Sequence, residues 1–388
     1  MLPWAALKGG ASYSRTGEGM QKYSCPKCRQ DYPIEQARWR CDCGSFLDLD
    51  FNVEFPILKI MDRPPTLWRY REALPILKDD HIVTLGEGFT PLEELALDSR
   101  PVLVKIDYLS PTGSYKDRGA TVLISKAKEL GVQKIVEDSS GNAGSAIAAY
   151  CAKAGIPCDI YVPEGISPGK LVQIQTYGAT VKRVEGSREK TAEVAMEAAS
   201  NAFYASHCWN PFFLHGTKTF AYEVCEQLHW KSPDTIVLPV GHGTLFLGTY
   251  LGFKELKEAG IVGKIPKLIG IQSAACAPLE EAFKKGERVA QPFDKRETIA
   301  EGIAIAKPVR GGQILEVIRE TRGRILSVTE EEIVAALREM GQKGYFIEPT
   351  SAATIAGLKK YGKHIKKEVI VTTLTGTGLK ATEKIGHQ

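Results

Sequence analysis

Apolar and polar positions along this chain fall into short blocks. Residues 1–19 are Gly- and Ser-rich and carry no periodicity. Residues 1–22 are therefore expected to be a disordered extension, with Met20, just before the first patterned segment, as the expected natural start. From Val102-Leu-Val-Lys-Ile106 the pattern becomes strand, loop, helix, repeated. Apolar runs predict strands over 102–106, 134–136, 158–162, 180–184, 235–240, 269–271, 325–328 and 369–374. Amphipathic or Ala-rich runs predict helices over 120–130, 143–154, 189–201, from the 241–245 loop to 257, over 329–340 and after 351. Such alternation predicts an α/β fold of parallel sheets with helices on both faces. Ligands in such sheets lie at the carboxyl ends of the strands.

Three loops at predicted carboxyl ends carry chemistry. Ser139-Ser-Gly-Asn142 has small side chains that let a ligand approach the backbone, and amides that can hold a carboxylate. Asn142 can donate to a ligand oxygen. Gly241-His-Gly-Thr-Leu245 joins a buried strand to a helix, the arrangement that cradles a phosphate with backbone N–H groups. It is too short for G-x-G-x-x-G and lacks the P-loop lysine, so a single phosphate fits it better than a dinucleotide or triphosphate. In such a loop His242 is expected to serve through its amide. Thr375 in Thr375-Gly-Thr-Gly378 places a neutral hydroxyl able to bond an aromatic nitrogen. A fourth stretch, Pro111-Thr-Gly-Ser-Tyr-Lys-Asp-Arg-Gly119, delivers Lys116 to a helix start. A lysine withdrawn from water there can act as an amine nucleophile and imine former. Trp68 and Tyr70 of Thr66-Leu-Trp-Arg-Tyr70 read as packing residues.

Ahead of these lies a four-cysteine cluster, Cys25-Pro-Lys-Cys28 and Cys41-Asp-Cys43-Gly44. Two tight knuckles bringing four thiolates together suit tetrahedral zinc, and four ligands would close the site, making it structural. Residues 23–50 are expected to form this zinc-ribbon-like segment, with a linker ending at Pro64-Pro65.

Composition narrows the class. The 388 residues carry a net charge of +4, with 43% hydrophobic and 25% charged positions. No long basic run supports nucleic-acid binding. No run of 18 apolar residues supports a membrane span. Nine cysteines, an odd number in a large chain, argue for the cytoplasm over a secreted disulfide framework.

A lysine, a Ser-Gly-Asn loop, a single-phosphate cradle and a terminal hydroxyl match the needs of pyridoxal phosphate: an amine, a phosphate site and a partner for the pyridine nitrogen. On these motifs, with Thr66-Leu-Trp-Arg-Tyr70, Leu85-Gly-Glu-Gly88, Glu348-Pro349 and Leu374-Thr-Gly376, the chain resembles the tryptophan-synthase-β-like, fold type II pyridoxal-phosphate enzymes, and among them the threonine synthases. The resemblance implies two open, doubly wound parallel-sheet subdomains over 51–388, interleaved, the smaller at about 110–220. It implies that Lys116 holds the cofactor as a Schiff base and shuttles protons. Asn142 would bond the 3′ oxygen, the 241–245 amides (Gly241, His242, Gly243, Thr244, Leu245) the phosphate, and Thr375 the pyridine nitrogen. Ser139, Ser140, Gly141 and Asn142 would bind the substrate carboxylate. Asn210, Lys218 and Arg188 are the candidates for a substrate phosphate. The implied reaction takes O-phospho-L-homoserine and water to L-threonine and phosphate. The alternative is a relative working by β-elimination or β-replacement: a serine or threonine dehydratase, a diaminopropionate ammonia-lyase or a cysteate synthase. Ser187-Arg-Glu-Lys190, Gly241-His-Gly243 and Thr298-Ile-Ala-Glu-Gly-Ile303 depart from the threonine synthase pattern and keep that alternative open. The family also implies a homodimer acting on a small amino-acid substrate.

Overall fold

The computed structural model describes residues 21–98, 100–164, 168–186, 188–362 and 368–386. Most of the expected N-terminal extension lies outside these. Its last residue does not belong to it: Lys22 opens the first strand.

Strands β1 (Lys22–Ser24), β2 (Asp31–Pro33) and β3 (Asp48–Asp50) form a small antiparallel sheet in the order β2-β1-β3. Tyr23 at its centre is wholly buried and meets Phe212 edge-on at 5.8 Å, which ties the ribbon to the body. Arg310, also buried, makes a second tie. Its guanidinium reaches Asp48 at 2.6 Å and donates to the carbonyls of Leu47, Cys208 and Trp209.

The body holds β4 (Leu92–Leu97), β5 (Arg100–Lys105), β6 (Ile135–Glu137), β7 (Cys158–Pro163), β8 (Thr180–Val184), β9 (Phe203–Tyr204), β10 (Thr235–Pro239), β11 (Lys267–Ser273), β12 (Arg324–Val328) and β13 (Ile370–Thr373). They make two sheets, one ordered β12-β11-β10-β13-β5-β4 and one ordered β8-β7-β6-β9. All pairings in the two are parallel except β4, which runs antiparallel to β5 on the edge of the larger sheet. β10 is buried at every position because helices cover both its faces. Neither β4 nor β9 was legible in the apolar pattern. β4 alternates only weakly on its exposed edge, and β9 has two residues.

Local signals set several helix ends. Thr329 caps Glu330–Gln342 through a reciprocal capping box with Glu332. Asn210 caps Pro211–Thr217, with Pro211 at the first helical position. The helix expected from residue 120 begins at Lys116 instead. Gly119 is helical there because its missing Cβ admits the Phe213 ring, whose Cε1 would lie 2.3 Å from a Cβ at that position. Among the described residues no helix is long and apolar enough to cross a membrane.

Candidate active site

Four loops converge from the carboxyl ends of β6, β9, β10 and β13, and the Pro111–Gly119 stretch is sewn to the last of them. Ser114 forms an antiparallel bridge with Gly376. Tyr115 N–H donates to the Thr375 carbonyl at 2.9 Å, and Thr377 N–H to that of Gly113 at 3.0 Å. Gly113 turns with φ +82°, a conformation that favours glycine. This turn presents Lys116 as the first helical residue. Its Nζ donates to Tyr115 Oη at 2.7 Å and to Thr244 Oγ1 at 3.4 Å, and those two hydroxyls lie 3.1 Å apart. Thr244 opens the helix that follows the Gly241–Gly243 loop, so the amine sits at the mouth of that loop.

A buried ion network fixes the Lys116 helix from behind. Arg118 is fully buried and contacts Asp107 at 2.7 Å and Glu223 at 2.7 Å, while Lys105 reaches Glu223 at 2.8 Å. Arg118 and Lys105 together hold Glu223 down at about 2 against the cost of its burial. Beside it, burial pushes Asp117 up to about 7, although Thr112 donates both its N–H and its hydroxyl to that carboxylate.

Asn142 and Thr375 meet at one carboxyl group. Asn142 Nδ2 donates to Glu348 Oε2 at 2.8 Å, and Thr375 Oγ1 to Glu348 Oε1 at 3.0 Å. Thr375 Oγ1 is also 3.0 Å from Ser351 Oγ. Burial raises Glu348 above the usual carboxylate range, opposed by these two hydrogen bonds. Gly376 makes room for this acid, since a Cβ there would fall 2.3 Å from the Glu348 carboxyl carbon. Ser139 and Ser140 lie partly buried on the same rim and Gly141 is exposed ahead of the helix Asn142–Ala154.

The three residues expected at a substrate phosphate do not come together. Arg188 points to the site, bound to Asp138 at 2.8 Å. Asn210 is fully buried, and its Oδ1 accepts from Phe212 N–H as the helix cap. Lys218 is wholly buried, 2.8 Å from Glu255 and over the Phe51 ring at 4.7 Å. In this structure the Lys218 ammonium is paired with a buried carboxylate.

A second set of buried groups lies beside Lys116. His207 Nδ1 lies 3.0 Å from Glu137 Oε1. Its ring meets those of His242 at 5.5 Å and Phe213 at 5.9 Å. Phe213 also underlies Lys116, whose Nζ is 5.8 Å from the ring centre. Burial holds both imidazoles neutral: His207 falls well below its usual value, with Lys116 adding to the effect, and His242 falls to about 3, with Arg188 adding. Burial moves Glu137 well above the carboxylate range, with Asp138 reinforcing it. Sequence reading missed Glu348, Tyr115, Phe213, Glu137 and His207. Tyr115 adjoins Lys116, and Glu348 stands before a Pro that opens a helix, so both carried a signal. His207 follows a two-residue strand and carried none.

The residues present fit pyridoxal phosphate. The Gly241–Gly243 backbone is crowded as a cradle must be: a Cβ on Gly241 would lie 2.9 Å from the Gly302 carbonyl oxygen, and one on Gly243, at φ +81°, 2.3 Å from Ile314 Cδ1. The first-turn amides of Thr244–Glu258 have no acceptor within their helix. An amine, an amide and a neutral hydroxyl complete the donor set. Residues 83–376 match the family described as pyridoxal-phosphate dependent enzyme. The chain belongs to that family. Two curated relatives are the threonine synthase of Methanocaldococcus jannaschii, 38% identical over 92% of this chain and 92% of that protein, and the threonine synthase of Methanosarcina acetivorans, 36% identical over 94% of each. A solved pyridoxal 5′-phosphate-dependent aspartate racemase shares the fold with a TM-score of 0.68, at 24% identity, over 87% of this chain and all of that one. Pyridoxal phosphate is thus the cofactor class of the family.

The cysteine cluster is a separate centre. Cys25 Sγ lies 3.6 Å from Cys43 Sγ, and Cys28 Sγ 3.5 Å from Cys41 Sγ, with all four donors within 4.8 Å of one another. Zinc–sulfur bonds of about 2.3 Å require tetrahedral sulfurs roughly 3.7 Å apart. The N–H groups of Cys28 and Cys43 point at Cys25 Sγ and Cys41 Sγ, as knuckle turns direct them.

Proposed function

We propose that this chain is a pyridoxal-phosphate-dependent lyase that converts O-phospho-L-homoserine and water into L-threonine and phosphate, with a structural zinc in its four-cysteine ribbon. The observation that carries this reading is the convergence of Lys116, Asn142, Thr375 and the 241–245 loop in a chain 36–38% identical to threonine synthases over more than nine-tenths of its length. When bound, the cofactor supplies an electron sink for charge developing beside the substrate amino group. Lys116 anchors the cofactor aldehyde and moves protons at the substrate's α and β carbons. Tyr115 Oη and Thr244 Oγ1 orient that amine and accept its hydrogen bonds. The amides from Ser139 to Asn142 hold the substrate carboxylate. Thr375 offers the pyridine nitrogen a hydroxyl without charge, which suits elimination and replacement more than transamination. Phe213 keeps water from the far side of the Lys116 amine.

One observation favours the second reading. Lys218 and Asn210 are engaged elsewhere, and Arg188 is neutralised by Asp138. None of these three supplies an unpaired cation for a second phosphate. β-Elimination or β-replacement on serine, threonine or diaminopropionate needs none. The deciding experiment loads the purified enzyme with pyridoxal phosphate, adds O-phospho-L-homoserine and follows phosphate and threonine together. Equal release of both supports threonine synthase. Release of neither, with ammonia and a 2-oxo acid formed from serine, threonine or diaminopropionate, or phosphate from phosphoserine, supports the second reading.

A further inference from the structure

We propose that His207, Cys208 and His242 form a second metal site beside Lys116, suited to zinc or another borderline divalent cation. Their donor atoms lie within 4.8 Å of one another, the same limit that gathers the ribbon cysteines. Two imidazoles and a thiolate are donors that tetrahedral zinc accepts, and three protein ligands leave a fourth position open. A closed ribbon has no such opening.

Independent features of the surroundings answer to a cation. His207 Nδ1 is held by Glu137 at 3.0 Å, leaving Nε2 as the free ring nitrogen. A carboxyl group on the far nitrogen of a ligating imidazole is the usual outer shell of a metal centre, where a bound cation favours its ionised form and it sets the tautomer. Nδ1 of His242 is shut away from water without a hydrogen-bond partner. So are Oε2 of Glu137, whose Oε1 meets His207, and Oδ1 of Asp138, whose Oδ2 meets Arg188. Buried polar atoms left unpaired are costly, and Asn210 Nδ2, two residues from Cys208, is another. Cys208 Sγ lies 3.3 Å from the Ser206 hydroxyl. Arg188 and Lys116, which shares the Phe213 ring with His207, are the unfavourable neighbours, and Asp138 pairs the Arg188 charge at 2.8 Å. Three protein ligands leave the fourth position for water. The site itself rests on neither reading of the reaction.

Metal analysis of the full-length, cofactor-loaded enzyme tests this. The expected content is two zinc ions per chain. Cys208→Ser, nearly isosteric, and His242→Asn, on the partly exposed loop, should each drop the content by one ion while the double variant Cys25→Ser/Cys28→Ser loses the other. Cobalt(II) added to that ribbon double variant should give ligand-field absorption and one thiolate-to-cobalt charge-transfer band, abolished by adding Cys208→Ser. A wild-type content of one ion that Cys208→Ser removes and the ribbon double variant retains would keep this site and reject the ribbon zinc. Full metal retention in both Cys208→Ser and His242→Asn, or no cobalt spectrum in the ribbon double variant, overturns the proposal. Near-ultraviolet circular dichroism confirms that each variant is folded.

Discussion

Arg118→Met is the sharpest test of how this chain holds its lysine. Arg118 is fully buried and donates to Asp107 at 3.0 and 2.7 Å, to Glu223 at 2.7 Å and to Thr219 at 3.2 Å. With Lys105 the cluster carries two positive and two negative side chains, and the charges cancel. Methionine fills a similar volume but leaves one net negative charge in a dry core. Removing one partner of a buried ion pair costs about 3–5 kcal/mol. Arg118, with Lys105, holds Glu223 down at about 2 against the cost of its burial. The sign follows from that depression. The stabilisation is fully present above the ordinary glutamate value near ~4.3 and is lost as pH falls toward the folded value. In Arg118→Met the depression is relieved, so the gap from wild type should be full at pH 7 and shrink between pH ~4.3 and the folded value. Urea unfolding followed by tryptophan fluorescence, with near-ultraviolet circular dichroism as a second probe for two-state behaviour, measures the gap. A loss under about 1 kcal/mol at pH 7, or a gap that does not change on acidification, would refute the reasoning. The first result would mean that the network is energetically slack, the second that its charges are not what matters.

Three further outcomes are expected. Glu348→Ala should weaken pyridoxal phosphate binding about tenfold, because Asn142 and Thr375 lose the acceptor that orients them, while Glu348→Gln should stay close to wild type in a visible-absorbance titration. Asp117, raised to about 7 by burial, binds its proton more tightly folded than unfolded. Its contribution is therefore favourable at low pH and lost as pH rises through about 7, and Asp117→Asn should gain thermal stability relative to wild type from pH 5 to pH 8. A constant difference across that range would contradict it. Cys25→Ser should lose the ribbon metal and lower Tm by on the order of 5 °C without abolishing the chemistry, because the ribbon sulfurs lie apart from the Lys116 loop. Unchanged thermal stability in a metal-free variant would count against a structural zinc.

Much of the site was legible because its chemistry is local. Lys116, Asn142, Thr375 and the 241–245 loop each sit in a short motif where a turn joins a strand to a helix, and the turn residues announce the place. Glu348 was quoted as part of a motif without a role, since nothing near it in sequence shows that its two oxygens face Asn142, 206 residues away, and Thr375, 27 residues away. For Lys218 likewise, only packing reveals that Glu255, 37 residues on, pairs with its ammonium.

The sequence by itself determined the α/β class, the positions of most strands and helices, the ribbon cysteines and the candidate loops at the strand ends. These follow from periodicity, turn chemistry and spacing, which act over a few residues. Tertiary structure alone decided the strand order β12-β11-β10-β13-β5-β4, the antiparallel edge strand β4 and the helical start at Lys116, where Phe213 packs on Gly119. It also decided the meeting of His207, Cys208 and His242 beside two buried carboxylates. Those features depend on which surfaces are shut from water and which charges find partners there. Burial sets both, and burial is a property of the whole fold rather than of any stretch of the chain.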